Sequence, residues 1–404
     1  MNILWGLMGM AVVLGIAFLL STGKKSINPR TILGGLALQL LFAFIVLKSE
    51  IGRKVLLKVT EAVNNVIGYA GEGISFLFGP LADGNGEFGV IFAFQVLTII
   101  IFFSALISVL YYLGIMQWII KLLGGGLSKL LGTSKTESTS AAANIFVGQT
   151  EAPLVVRPFL KNMTNSELFA VMTGGLASVA GSTLAGYALL GVPLEYLIAA
   201  SFMAAPAGLI MAKIIMPEKE KPKDDAFVME KDTGATNVID AAAKGAGDGM
   251  ALALNVGAML LAFIALIALL NGLLGGIGSW FGAEGLTIQS ILGYVFSPLA
   301  FAIGVPWQEA VQAGSFIGQK LVLNEFVAYA SFAPQIAELS DKTVMVVSFA
   351  LCGFANLSSL AILLGGLGGM APERRPDIAR MGMRAVAAGM LASLLSASIA
   401  GMFM

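Results

Sequence analysis

Four short stretches carry the residues that could do chemistry. NIFVGQTEAPLVVRPF (144–159) sets Gln149, Thr150 and Glu151 between Gly148 and Pro153 inside an apolar run. LVLNEFVAYA (321–330) holds Glu325, and GFANLSS (353–359) holds Phe354, Asn356, Ser358 and Ser359. ASVAGST (177–183) adds Ser178 and Thr183. Amides, hydroxyls and two carboxylates among apolar neighbours suit hydrogen-bond recognition better than bond breaking. The competing structural readings are an ion pair between Glu151 and Arg157, an interfacial Glu325, and interhelical hydrogen bonding by the small polar residues.

Composition narrows the chemistry. The 404 residues are 57% hydrophobic and 12% charged, against about 25% charged in soluble domains. The chain reads as a polytopic membrane protein, where a carboxylate at membrane depth is costly and functional by default. There is no histidine, which removes histidine metal sites, Ser-His and Cys-His catalysis and histidine proton relays. The single Cys352 forms no internal disulfide or thiolate cluster. Zero formal net charge gives no pull toward nucleic acid.

The elements that must position these residues follow from hydropathy. Eight spans are expected, at 2–21, 31–47, 90–117, 166–189, 193–216, 250–271, 342–366 and 378–402. The first is read as a retained helix because it lacks a basic n-region and a small-residue cleavage site. Residues 51–69 alternate at helical spacing and predict an interfacial amphipathic helix. Two stretches fit a span badly, 137–160 and 297–328.

Charge resolves the misfits. Lys24, Lys25 and Arg30, then Lys213, Lys219, Lys221, Lys223 and Lys231, then Arg374, Arg375, Arg380 and Arg384 form basic groups. The connections 71–89 and 272–296 hold no Lys or Arg. The positive-inside rule places the basic groups in the cytoplasm and both termini outside. Alternation then holds only if the two misfit stretches are re-entrant hairpins of opposite entry. Arg53, Lys54 and Lys58 fall on the outer side as exceptions.

An inverted repeat is therefore expected. VGQTEA (147–152) echoes VPWQEA (305–310), and each hairpin precedes a span interrupted by small and polar residues. Non-helical backbone at membrane depth survives where it lines a cavity, and paired broken helices point to a transporter site. The pocket so formed suits a neutral, hydroxyl-rich solute with an apolar face. No Arg or Lys lies close to either expected tip to hold an anion, Lys320 being the nearest. A small hard cation suits unwound carbonyls with Asn144 and Ser178. GAGD (245–248) matches the Gly-x-Gly-Asp of intramembrane aspartyl proteases, the rival from another class. Such an enzyme needs a second membrane aspartate, and none is present in another span. No enzyme is expected; the nearer rival is a channel.

NIFVGQTEAPLVVRPF, ASVAGSTLAGYA, NEFVAY and ALCGFANLSSLAILLGGLG closely resemble the bacterial members of the concentrative nucleoside transporter family, over essentially the whole chain. The resemblance implies an all-α membrane protein of eight transmembrane helices, two oppositely oriented re-entrant hairpins and interfacial helices, assembled as a homotrimer in the bacterial inner membrane. It implies scaffold helices within 1–117 and at 250–271, and transport halves at 118–216 and 272–404, with a cytoplasmic loop and amphipathic helix at 217–249. Gln149, Thr150 and Glu151 would contact the nucleobase, with Thr183 beside it. Glu325, Asn356 and Ser359 would contact the ribose, and Leu252 and Phe354 would be apolar walls. Sodium, the coupling ion and the only co-substrate implied, would sit on Asn144, Ser178 and the carbonyls of Val147 and Val179. Some members couple to protons instead; the neutral oxygens of Asn144 and Ser178 favour sodium.

Overall fold

The structure, a computed structural model, describes all residues except Met1, 83–90, 223–233, Phe281, Ala283 and Glu284. Lys223 and Lys231 of the second basic group therefore lie outside the described residues, as does part of the 71–89 connection. Every regular element among the described residues is helical. The first part of the chain forms α1 (Asn2–Leu19), α2 (Pro29–Ala43), α3 (Glu50–Phe78), α4 (Phe92–Gln95), α5 (Leu97–Tyr112) and α6 (Ile115–Leu131). Then come α7 (Lys135–Ala143), α8 (Asn165–Ala177), α9 (Gly181–Leu189), α10 (Leu194–Ile215) and α11 (Val238–Trp280). The chain closes with α12 (Ile288–Ala302), α13 (Trp307–Val322), α14 (Glu325–Phe332), α15 (Asp341–Leu351), α16 (Ser359–Met370) and α17 (Arg375–Met402).

Seven of these helices, with α8 and α9 taken together, are long and apolar enough to cross a bilayer. The eighth expected span, 342–366, falls on α15 and α16, which are separated by a break at 352–358. Burial divides the crossings into two classes. In α8–α9, α10 and α17, 94% of the apolar stretch is buried, against 22–28% in α1, α2, α5 and α11. The first class forms the centre, and the second presents apolar faces outward.

The molecule has two ends. At the basic end, Thr22 N donates to Ile215 O (2.8 Å), and Arg374 Nη1 donates to Met163 O (2.6 Å). At the opposite end, Asn2 Nδ2 donates to Met404 O (2.6 Å), and Lys342 Nζ donates to Asn2 Oδ1 (3.1 Å).

Each end is the mouth of one helical hairpin. The first runs up α7, turns through 144–151 and returns along a 3-10 segment, Ala152–Asn162. Its first arm starts on a capping box of Ser134 and Glu137, and α8 starts on one of Thr164 and Glu167. Thr136 Oγ1 donates to Glu167 Oε1 (2.9 Å), so entry and exit lie side by side. Lys213 at the end of α10 meets Glu137 Oε2 at 2.6 Å, both side chains buried. The second hairpin is α13, a turn at Leu323–Asn324, and α14 with the 3-10 segment Ala333–Glu338. Gln319 Oε1 accepts from Ser331 Oγ (2.8 Å) near its tip, and Gln312 Nε2 donates to Gln335 Oε1 (2.6 Å) near its base. Its mouth closes where Glu309 Oε2 accepts from Ser340 Oγ (2.8 Å) and from the Thr343 hydroxyl. The first mouth lies at the basic end and the second at the opposite end.

The second hairpin departs from the expected 297–328. VPWQEA lies at its mouth, where α12 and α13 meet at a bend of 116°. Gly304 adopts φ +116°, open to glycine, and Pro306 caps α13. Glu309 is spent on holding Ser340 and Thr343, so the echo of VGQTEA does not pair tip with tip. A second difference is α11, continuous over 43 residues where a cytoplasmic loop and amphipathic helix to 249 and a separate span at 250–271 were expected. A Cβ on Gly245 would lie 2.6 Å from Ser104 O, and one on Gly249 2.8 Å from Ile101 Cα. These glycines let α11 lie close along α5. The expected 51–69 helix is α3, longer at both ends.

Candidate functional site

The two broken helices cross at their breaks. Phe354 N donates to Ser178 O (3.0 Å). A Cβ on Gly353 would approach Ala177 O to 2.9 Å, so only glycine admits the crossing. Gly181 N donates to Phe146 O (2.9 Å), tying the first hairpin's tip to the α8–α9 break. Across from it, Asn324 Oδ1 accepts from Val327 N (2.8 Å), capping α14 and turning Glu325 inward at the second tip. Two tips and two breaks thus meet in the middle of the molecule.

They enclose a cavity of about 110 Å³. Gln149, Thr150, Glu151, Thr183, Leu252, Glu325, Phe354, Asn356 and Ser359 all line it, which is every side chain expected at the substrate site. Leu252, Val256 and Met259, one stripe of α11, form an apolar wall with Phe354 and Ile362. On the polar side, Asn356 Nδ2 donates to Glu325 Oε2 (3.1 Å) and Tyr187 Oη donates to Oε1 (3.2 Å). Asn356 Oδ1 accepts from Ser358 Oγ (2.7 Å) and Ser359 N (2.9 Å). Ser359 Oγ donates to Phe354 O.

The first tip is packed as tightly. A Cβ on Gly148 would sit 2.5 Å from Glu151 Oε2, and one on Gly175 2.8 Å from Gln149 Cβ. Gln149 is buried, and its Oε1 has no hydrogen-bond donor. Thr183 Oγ1 donates to Ala180 O (2.8 Å), so its hydroxyl is turned toward its own chain. No ion pair joins Glu151 to Arg157 among the described residues.

Gly148, Glu151, Ala180 and Leu252 also line a second cavity of about 410 Å³. Lys244 and Asp248 line it near the start of α11, which follows α10 from the basic end. Asp248 of GAGD is therefore a cavity wall. Among the described residues no other aspartate lines that cavity, and Gly245 and Gly249 on either side serve helix packing.

Beside the first tip, Asn144, Val147, Ser178 and Val179 are all buried. Asn144 Nδ2 donates to Ser140 O (2.9 Å), which leaves Oδ1 buried without a donor. Ser178 Oγ donates to Gly174 O (3.1 Å). The described residues contain no acidic, thiol or imidazole metal cluster. The expected ligands are neutral oxygens, and the undonated Asn144 Oδ1 fits a hard monovalent cation.

Tyr187 and Asn324 were not anticipated. Tyr187 lies four residues after Thr183, on the same helix face, which is the signal that could have found it. Asn324 is a helix N-cap, legible only once α14 is known to start there.

Three regions match family models. These are "Na+ dependent nucleoside transporter N-terminus" at 8–81, "Nucleoside recognition" at 93–194 and "Na+ dependent nucleoside transporter C-terminus" at 196–401. The chain is 63% identical to "Uncharacterized transporter YutK" of Bacillus subtilis, covering 100% of both. It is 51% identical to "Nucleoside permease NupC" of Helicobacter pylori, covering 99% of this chain and 97% of that one. The solved "Structure of CNTnw in an inward-facing substrate-bound state" superposes with a TM-score of 0.96 at 57% identity, covering 100% and 98%. With hairpin tips, crossing breaks and matches over its whole length, the chain belongs to the concentrative, Na+-dependent nucleoside transporter family and is a membrane transporter rather than an enzyme.

Proposed function

We propose that this protein is a sodium-coupled symporter that imports nucleosides such as uridine across the bacterial inner membrane. The observation that supports this most is the central cavity lined by two carboxylates, amides, hydroxyls and one apolar wall. A nucleoside has the matching faces: a flat base edged with donors and acceptors, and a ribose bearing hydroxyls. Gln149, Thr150 and Glu151, beside Thr183, read the base. Glu325, Asn356 and Ser359 read the ribose, with Glu325 accepting from its hydroxyls. Leu252 and Phe354 flank the base and sugar as apolar walls.

Sodium, the co-transported ion, is held by Asn144 Oδ1, Ser178 and the carbonyls of Val147 and Val179. It then braces the first tip against the α8–α9 break and shapes the base site. Loss of sodium loosens the tip and releases the nucleoside.

Both hairpins are re-entrant, one from each side, and the basic end faces the cytoplasm. The termini are then outside, since Asn2 and Met404 share the opposite end. The outward apolar faces of α1, α2, α5 and α11 suit a scaffold that meets lipid and two further copies in a homotrimer. The hairpins with α8–α10 and α15–α17 form the moving part. The larger cavity, walled by Lys244 and Asp248, is the cytoplasmic exit.

Radiolabelled uridine uptake into proteoliposomes, with and without an inward sodium gradient, tests this reading. Concentrative uptake that needs the gradient is expected. Uptake driven equally by a proton gradient in choline points to proton coupling, and non-saturable equilibration points to a channel.

A further inference from the structure

Lys320 is a buried charge that lies outside the substrate cavity. It lies in the last turn of α13, just before the second tip, and its side chain is 0% exposed. Its Nζ donates to Ala350 O (2.8 Å) and to Ser393 Oγ (3.1 Å). Ser393 Oγ in turn donates to Cys352 O (3.4 Å). The ammonium therefore sits against the carbonyl end of α15, where the helix breaks. Glu325 lies five residues on, at the start of α14.

A helix carboxyl end carries a partial negative charge and draws cations. In the first half of the repeat, Gly174 lies ten residues after the cap of α8, next to the proposed sodium ligand Ser178. In the second half, Ala350 lies ten residues after the cap of α15 and receives the lysine. The two halves differ in what reaches the break: neutral Asn144 and Ser178 in one, a fixed ammonium in the other.

We propose that Lys320 is a tethered cation, holding the second hairpin to the α15–α16 break as sodium holds the first hairpin to the α8–α9 break. It is a positioning residue: it sets Glu325 and Asn356 without touching substrate, and it makes a second sodium unnecessary. The inference rests on the sodium reading above.

The test compares Lys320→Ala with Lys320→Met in uridine calorimetry over a sodium titration, with choline holding ionic strength constant. Alanine leaves space and bare carbonyls that sodium can enter; methionine fills the space without charge. Both variants are expected to lose about tenfold or more in uridine affinity at low sodium, the scale of a hydrogen bond to a charged group. High sodium restores the alanine variant along a steeper curve than wild type, and does not restore the methionine variant. Unchanged affinity in both, or the same fold loss in both at every sodium concentration, overturns the proposal. If neither variant folds, the wild-type coupling ratio decides: one sodium per uridine is expected, and two overturns it. A wild-type affinity that ignores sodium instead sinks the coupling reading. Lys320 is then judged by whether Lys320→Met still weakens uridine binding.

Discussion

Asn356 Nδ2 donates to Glu325 Oε2 across 3.1 Å, and that bond joins the α15–α16 break to the tip of the second hairpin. It also leaves Glu325 able to accept further hydrogen bonds from the cavity. Glu325→Gln is expected to weaken uridine binding about tenfold or more, since a hydrogen bond to a charged group contributes about 1.5–3 kcal/mol. The loss should be smaller for a 3′-deoxy analogue. Equal losses for the two ligands would show that Glu325 does not read the sugar.

Tyr187 supports the same carboxylate from α9 at 3.2 Å. Tyr187→Phe keeps the buried ring beside Phe326 and Tyr329 and removes only the donor. Uridine affinity should fall roughly three- to tenfold, in line with a net hydrogen bond of about 0.5–1.5 kcal/mol. In the Glu325→Gln background the same change should cost less, because the two act through one contact. Strict additivity, measured by calorimetry, would argue against that coupling.

Helix packing gives a prediction with its own control. Gly249→Ala puts a Cβ 2.8 Å from Ile101 Cα, whereas a Cβ on Gly247 meets nothing within 4 Å. Overpacking typically costs about 1–3 kcal/mol. Gly249→Ala should therefore lower the melting temperature in detergent, and Gly247→Ala should match wild type or exceed it. Similar melting of the two variants would mean that α5 and α11 are not so closely apposed.

The hairpin mouths predict sidedness. In a Cys352→Ala background, cysteines replacing the exposed Lys135 and Asn162 should label only from the cytoplasm. Cysteines replacing the exposed Gln308 and Glu338 should label only from outside. Labelling of Lys135→Cys and Asn162→Cys from opposite sides would mean that the first hairpin spans the membrane.

The broken helices and the first hairpin were legible because polar residues inside apolar runs have few structural explanations. ASVAGST and GFANLSS fall on the two breaks for that reason. The bounds of the second hairpin were less legible than its tip. Gly304 and Pro306 carry the signature of a turn inside the expected 297–328, and they do make one, but at the mouth, where α13 begins. The tip beside Glu325, Leu323–Asn324, has no glycine or proline and turns on the cap that Asn324 supplies. Ser358 shows a further limit. Its place at the break was legible but its role was not: its hydroxyl donates to Asn356 Oδ1 at 2.7 Å and helps to orient a cavity residue. The continuity of α11 was hidden because its polar first turns read as an amphipathic helix separate from the apolar span at 250–271, and the two prove to be one helix.

The central claim is that sodium and nucleoside bind to one braced structure, and uridine calorimetry across a sodium titration tests it most directly. Coupling between two sites is reciprocal and typically amounts to about 1–3 kcal/mol, so removing sodium should weaken uridine about 5- to 150-fold. Asn144→Ala should shift the curve to higher sodium and recover part of the affinity at its upper end. A wild-type affinity that does not respond to sodium, or an Asn144→Ala curve that overlays wild type, would contradict the account.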